Sequence, residues 1–166
     1  MRNAALYLAL LMLSAVSCAQ AQTALHSYAD IRCDSVVIYD YNGRYHSEGR
    51  EIVYAGILIN TVSAAARLSP ADAAELSHRL MQDSSYGSII TAACVCPDMG
   101  IVYWQDGKPL AYVSLGTWDR IAHTSIDIAA KKQGGEVEDG GMIYRRAGMS
   151  DTFLIYLKKL KGKYGM

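Results

Sequence analysis

The chain has 166 residues, 51% of them hydrophobic, so it is long and apolar enough for one domain with a core and is not a disordered segment. Sixteen Lys and Arg balance sixteen Asp and Glu, giving a formal net charge of zero. That balance argues against nucleic acid as a partner, which a basic surface would serve.

Arg2 and the amino terminus precede the apolar run Leu6 to Val16. A run of this length suits the core of an export signal and falls short of the roughly 20 residues that span a bilayer. Ala19-Gln20-Ala21 supplies an A-x-A cleavage site. Residues 1–21 therefore read as a signal peptide and 22–166 as a single α+β domain, exported to the periplasm. A second reading stays open. "SAVSC", Ser14 to Cys18, resembles a lipoprotein signal, with Ala15 where a larger aliphatic residue is usual. Cys18 would then carry a lipid, anchoring the chain at the outer membrane. No later stretch reaches spanning length without charge, so no membrane span is expected.

Val36 to Tyr41 is rich in β-branched and aromatic residues and runs into Asn42-Gly43, which predicts a strand entering a tight turn. Glu51 to Val62 is a second apolar run, read as strand. The spacing of Ala73, Leu76 and Leu80 predicts a helix over about 69–83, with Ser69 as N-cap, Pro70 at the first helical position and Asp72 completing a capping-box variant. His78 lies off its apolar stripe. "SIITAA", Ser88 to Ala93, reads as strand. Met99 to Leu115 predicts a hairpin turning at Asp106-Gly107. That turn sets Trp104 opposite Pro109, Tyr103 opposite Leu110, Val102 opposite Ala111 and Ile101 opposite Tyr112. Both faces are apolar, so the hairpin should be central or covered on both sides. "IDIAAKKQ" fits a short strand or a helical turn, "GGEVEDGG" a mobile loop, and "GMIYRRAGM" a short strand. Asp151 to about 162 predicts a second amphipathic helix, with Phe153, Leu157 and Leu160 as its stripe and lysines at its C-terminal end. A basic helix end could touch an anionic membrane, but its apolar stripe is better used against the sheet. The fold expected is a small, mostly antiparallel sheet packed by these two helices.

Chemistry concentrates in "TAACVCPDMG", residues 91–100. Cys33, Cys94 and Cys96 are the cysteines left after removal of the signal. In an oxidising compartment the first expectation is a structural disulfide from Cys33 to Cys94 or Cys96, leaving one thiol. A strained Cys94–Cys96 bridge is the other pairing. A thiol redox role for Cys94 and Cys96 is weaker, because the spacing is C-x-C, Pro97 follows, and no helix start lies behind it to lower a thiol pKa. A zinc site would need further donors, and His26, His46, His78 and His123 show no pairing with the cysteines. A Cys–His nucleophile, using His46 or His123, has no spacing to support it. "DYNGRYHSE" lacks the ligand order of a calcium loop. No catalytic set, metal site or cofactor fingerprint is present, so none is expected.

The stretch Leu68 to Leu115, with its capped helix, Tyr86-Gly87, Cys94, Pro97, Gly100, Ile101 and the Asp106-Gly107 turn, resembles a group of small exported bacterial proteins of no established activity. The helix after "RAGMSDTF" is similar as well. In that group the second hairpin strand often ends in a further cysteine pair, where this chain has "SLGTWDR", Ser114 to Arg120. The resemblance implies the fold and carries no thiol or metal chemistry across. The functional expectation is a non-enzymatic domain that binds an envelope protein or ligand. The alternative is a thiol redox or metal-binding protein using Cys94 and Cys96. A small inhibitor or immunity-type protein is a third class.

Overall fold

A computed structural model describes residues 27–43, 51–90 and 96–166. The expected signal segment, Cys18, His26, His46 and Cys94 lie outside these residues. The α+β class holds. Strand β1 (Ser35–Tyr41) lies between β4 (Val62–Arg67) and β6 (Met99–Gln105), and β7 (Lys108–Gly116) and β8 (Ile121–Thr124) complete a sheet ordered β4-β1-β6-β7-β8. Every neighbouring pair is antiparallel. β6, the first strand of the expected hairpin, is therefore the middle strand.

Asp106 and Gly107 both take positive φ, 51° and 71°, as the type I′ turn requires. The register holds at Gln105–Lys108 and Trp104–Pro109 and then slips by one residue. Tyr103 faces Ala111, Val102 faces Tyr112, and Ile101 faces Val113. Leu110 becomes the extra residue of a bulge, left 40% exposed. The slip puts Ala111, Val113 and Leu115 on the same face as Met99, Ile101 and Tyr103, all buried.

That face is covered by two helices, α1 (Pro70–Leu80) and α2 (Asp151–Lys163). Ser69 Oγ accepts the N–H of Asp72 at 3.2 Å, and Ser150 Oγ accepts that of Phe153 at 3.3 Å. Each oxygen satisfies a donor the first turn cannot. Leu76 and Leu80 of α1, and Phe153, Leu157 and Leu160 of α2, join the sheet's buried side chains. α1 stops at Leu80, short of the expected 83, where Asp83–Ser85 turns as a 3-10 segment. His78 is exposed, beside Gln82.

The run from Glu51 to Val62 is not one strand. It folds back at Ala55-Gly56, with φ of 49° and 78°, into a short hairpin of β2 (Val53–Tyr54) and β3 (Ile57–Leu58). The flexible glycine stands where the turn needs positive φ, which outweighs the β propensity of its neighbours. Ile52, fully buried, and Ile59 cover the sheet's other face against Tyr39, Tyr41 and Val102. Ile52 sits so close to Gly100 that a Cβ there would lie 2.5 Å from Ile52 Cγ1. β4 follows at once. Its Ala64-Ala65-Ala66 run has little strand propensity, and pairing with β1 decides its state.

The expected loop "GGEVEDGG" is instead half of a hairpin. β9 (Glu136–Asp139) and β10 (Met142–Arg145) turn at Gly140-Gly141, with φ of 58° and 80°. "IDIAAKKQ" forms a 3-10 turn at Ala129–Lys132. Of the strand expected in "SIITAA", Ser88 closes β5 (Tyr86–Ser88), which pairs with β11 (Gly148–Met149), Ile89 and Ile90 are not strand, and residues 91–93 lie outside the described residues. Among the described residues, no helix is long and apolar enough to cross a membrane.

Candidate functional site

The end of β7 and the start of β6 lie side by side, so "CPDMG" and "SLGTWDR" meet. Asp98 N–H donates to the Leu115 carbonyl at 2.9 Å. The Asp98 carboxylate then accepts Thr117 N–H at 2.7 Å and Thr117 Oγ1 at 2.6 Å. Asp119 works in the opposite direction. Its Oδ2 accepts Cys96 N–H at 2.8 Å and its Oδ1 accepts Ile121 N–H at 3.1 Å. Gly116 makes room for this carboxylate, since a Cβ there would lie 1.9 Å from Asp119 Oδ1.

Arg120 fixes the far side of the loop. Its backbone is left-handed, at φ 62°, and its carbonyl accepts Met149 N–H at 2.8 Å. The guanidinium donates to Ser88 Oγ at 3.2 Å and to the Met149 carbonyl at 3.3 Å, and it pairs with Asp151 at 2.7 Å. The loop is thus tied to the cysteine stretch, to β11 and to the first turn of α2.

Between these anchors Trp118 is 92% exposed. It forms one wall of a surface cleft of about 370 Å³. Leu154 and Ile155 of α2 supply further apolar lining, and Arg120, Asp151 and Lys158 the polar rim. Ile155 points away from the buried stripe of its helix and is 52% exposed. Trp118 and Ile155 are exposed side by side in one cleft, and tryptophan is the side chain most enriched where interfaces carry their binding energy.

Of the cysteines singled out, Cys33 and Cys96 lie among the described residues and Cys94 does not. Cys33 carries a free thiol, half-buried against the helix-side core. Burial pushes its pKa up, the reverse of an activated thiolate. Cys33 precedes β1, and β1 pairs with β6 from Ser35–Trp104 to Asp40–Met99. Cys33 therefore lies at the turn end of β6 and Cys96 before its first residue. At the strand rise they are on the order of 17 Å or more apart, against the ~7 Å between Cα atoms that a disulfide tolerates. Antiparallel registration of β1 and β6 is what keeps Cys33 from Cys96. Behind Pro97 the chain enters a strand. Among the described residues no three of His, Cys, Asp and Glu converge as metal ligands. His123 lies on β8 with its ring Nε2 buried and unbonded.

A second cleft, of about 510 Å³, lies by Asp127, Lys131, Lys132, Glu136 and Arg145. Its charges are spent internally. Lys132 pairs with Asp127, Arg145 stands 3.8 Å from Glu136, and Lys131 donates to the Ala122 carbonyl. The Tyr112 hydroxyl donates to Glu51, and burial above all pushes its pKa up, so it remains a neutral donor. This pair is structural.

Sequence reasoning did not single out Trp118 or Ile155. Two signals were there to be read. Trp118 is a large apolar residue between Thr117 and Asp119 in a turn, and Ile155 stands two residues from both Phe153 and Leu157, off their helical stripe. Comparison with protein-family models, curated proteins and solved structures finds no match.

Proposed function

We propose that this chain is an exported cell-envelope protein whose work is non-enzymatic binding, and that the Trp118 cleft is its binding surface. The observation that carries the reading is Trp118 itself, 92% exposed yet held by neighbours bonded to Asp98, Cys96 and Met149. A preset loop presents its aromatic group without the ordering cost that a mobile one would incur on binding. The apolar run Leu6 to Val16 and the A-x-A site support export, with lipidation of Cys18 as the alternative route to the envelope. A thiol or metal role for Cys94 and Cys96 has less support, since a strand follows Pro97 and Cys33 is remote from Cys96.

The test is site-specific photo-crosslinking in intact cells. A crosslinking residue in place of Trp118 should capture a discrete molecule, whether protein, lipid or glycan. The same residue in place of Met142, which is 62% exposed on the β9–β10 hairpin, is the control and should not. Equal labelling at both positions would overturn the reading.

A further inference from the structure

We infer that the partner of the Trp118 cleft is the surface of an anionic lipid bilayer; the inference rests on that cleft being the binding surface. Trp118 and Ile155 line one cleft and are 92% and 52% exposed. An indole settles at the headgroup level of a bilayer, its ring in the apolar boundary and its N–H in the polar layer, and an aliphatic side chain beside it enters the same boundary.

The charge pattern selects the lipid. One helical turn beyond Ile155 stand Lys158 and Lys159, at the positions that share its face. Both are exposed, and neither pairs with a carboxylate among the described residues. The next two lysines of α2 are different. Lys161 pairs with Asp40 at 2.9 Å and Lys163 with Asp72 at 2.7 Å. Uncompensated positive charge on α2 is thus confined to the turn beside the exposed apolar residues. The acid that lines the cleft, Asp151, is neutralised by Arg120. A protein interface of ordinary size covers about 800 Å² per partner around an apolar centre. The Asp98 and Asp119 carboxylates beside Trp118 are turned to Thr117 and to the backbone N–H groups of Cys96, Thr117 and Ile121, so two apolar side chains with free lysines on the helix side fit shallow insertion among anionic headgroups better.

The test uses the protein purified from the envelope and two kinds of vesicle, one of equal parts phosphatidylglycerol and phosphatidylcholine, one of phosphatidylcholine alone. Partitioning should be about tenfold or more tighter on the anionic vesicles, with a blue shift of tryptophan emission. The double substitution Lys158→Glu/Lys159→Glu should abolish the preference. Trp118→Ala should abolish the blue shift and weaken binding. These positions are exposed, and unchanged circular dichroism would confirm folding. Equal partitioning on both vesicles, as a lipid anchor alone would give, overturns the inference, as does an undiminished preference in the double variant. A protein or glycan captured from position 118 without vesicle binding overturns it too, while leaving the cleft as a binding surface. Failure of both experiments removes both readings.

Discussion

The backbone N–H of Cys96 donates to the carboxylate of Asp119 at 2.8 Å, and this bond joins the two most unusual stretches of the chain. The cysteine stretch enters the middle strand, and the Trp118 loop leaves the strand next to it. Asp98 answers from the other side by accepting both donors of Thr117. Two carboxylates thus fasten two loops to each other, and Trp118 is the side chain left facing solvent. The polar ties hold the backbone on either side of it.

Asp119 and Gly116 should be energetically coupled. Asp119→Ala frees the N–H groups of Cys96 and Ile121, at a cost of about 1–3 kcal/mol in chemical denaturation. Gly116→Ala drives a Cβ into the Asp119 carboxylate and should cost about the same through overpacking. In the double variant the clash has no partner, so the losses should fall short of additive by about 1 kcal/mol. Strict additivity would show that the carboxylate is not held where Gly116 admits it.

Much of the fold was legible because local chemistry and tertiary packing agree. Ser69, Pro70 and Asp72 announce α1, Asp106-Gly107 announces its turn, and the Phe153-Leu157-Leu160 stripe announces α2. The misreadings have definite causes. A bulge at Leu110 moved the β6–β7 register, and the turn residues that set the first two pairs do not record it. Ala64 to Ala66 became strand because β1 offered an edge, which no local propensity records. Gly140-Gly141 read as looseness and serves as a turn. The cleft was legible only in part. Ile155 lies visibly off its stripe, but its approach to Trp118 depends on how α2 docks, and that is a long-range fact.

Cys33 should react as a free thiol in the unreduced protein. Under denaturing, non-reducing conditions, alkylation followed by peptide mass analysis should label Cys33 without prior reduction. In the folded protein the same reaction should be slow, because burial raises the thiol's pKa and thins out the thiolate. A peptide joining Cys33 to Cys96 would contradict the strand register that places the two apart.

Asp72 links the start of α1 to the end of α2. It accepts from Lys163 at 2.7 and 2.8 Å and from the Tyr164 hydroxyl at 2.5 Å. Lys163, then Tyr164 and Ser69, hold its carboxyl down to about 2, from the usual 3.8. A depressed pKa stabilises the fold above the unfolded value, and that contribution is lost as pH falls through the folded one. The melting temperature of Asp72→Asn should therefore lie below that of the unsubstituted protein at neutral pH. The gap should close between about pH 4 and pH 2. A gap that persists at pH 2 would mean that charge is not what Asp72 contributes.

The two tryptophans should separate stability from binding. Trp104 packs half-buried against the sheet face covered by Ile52, and its indole N–H donates to Tyr39 at 3.1 Å. Trp104→Ala leaves a cavity and an unpaired hydroxyl, and should cost roughly 2 kcal/mol or more. Trp118 is 92% exposed and the loop beneath it is held by backbone and carboxylate bonds, so Trp118→Ala should change stability by no more than about 0.5 kcal/mol. It should nonetheless weaken the binding detected at that cleft. Measured side by side by denaturation, a large loss for Trp104→Ala and a near-zero one for Trp118→Ala are expected. A Trp118→Ala loss as large as that of Trp104→Ala would mean that the indole is packed in solution. The cleft would then be part of the core and not a surface waiting for a partner.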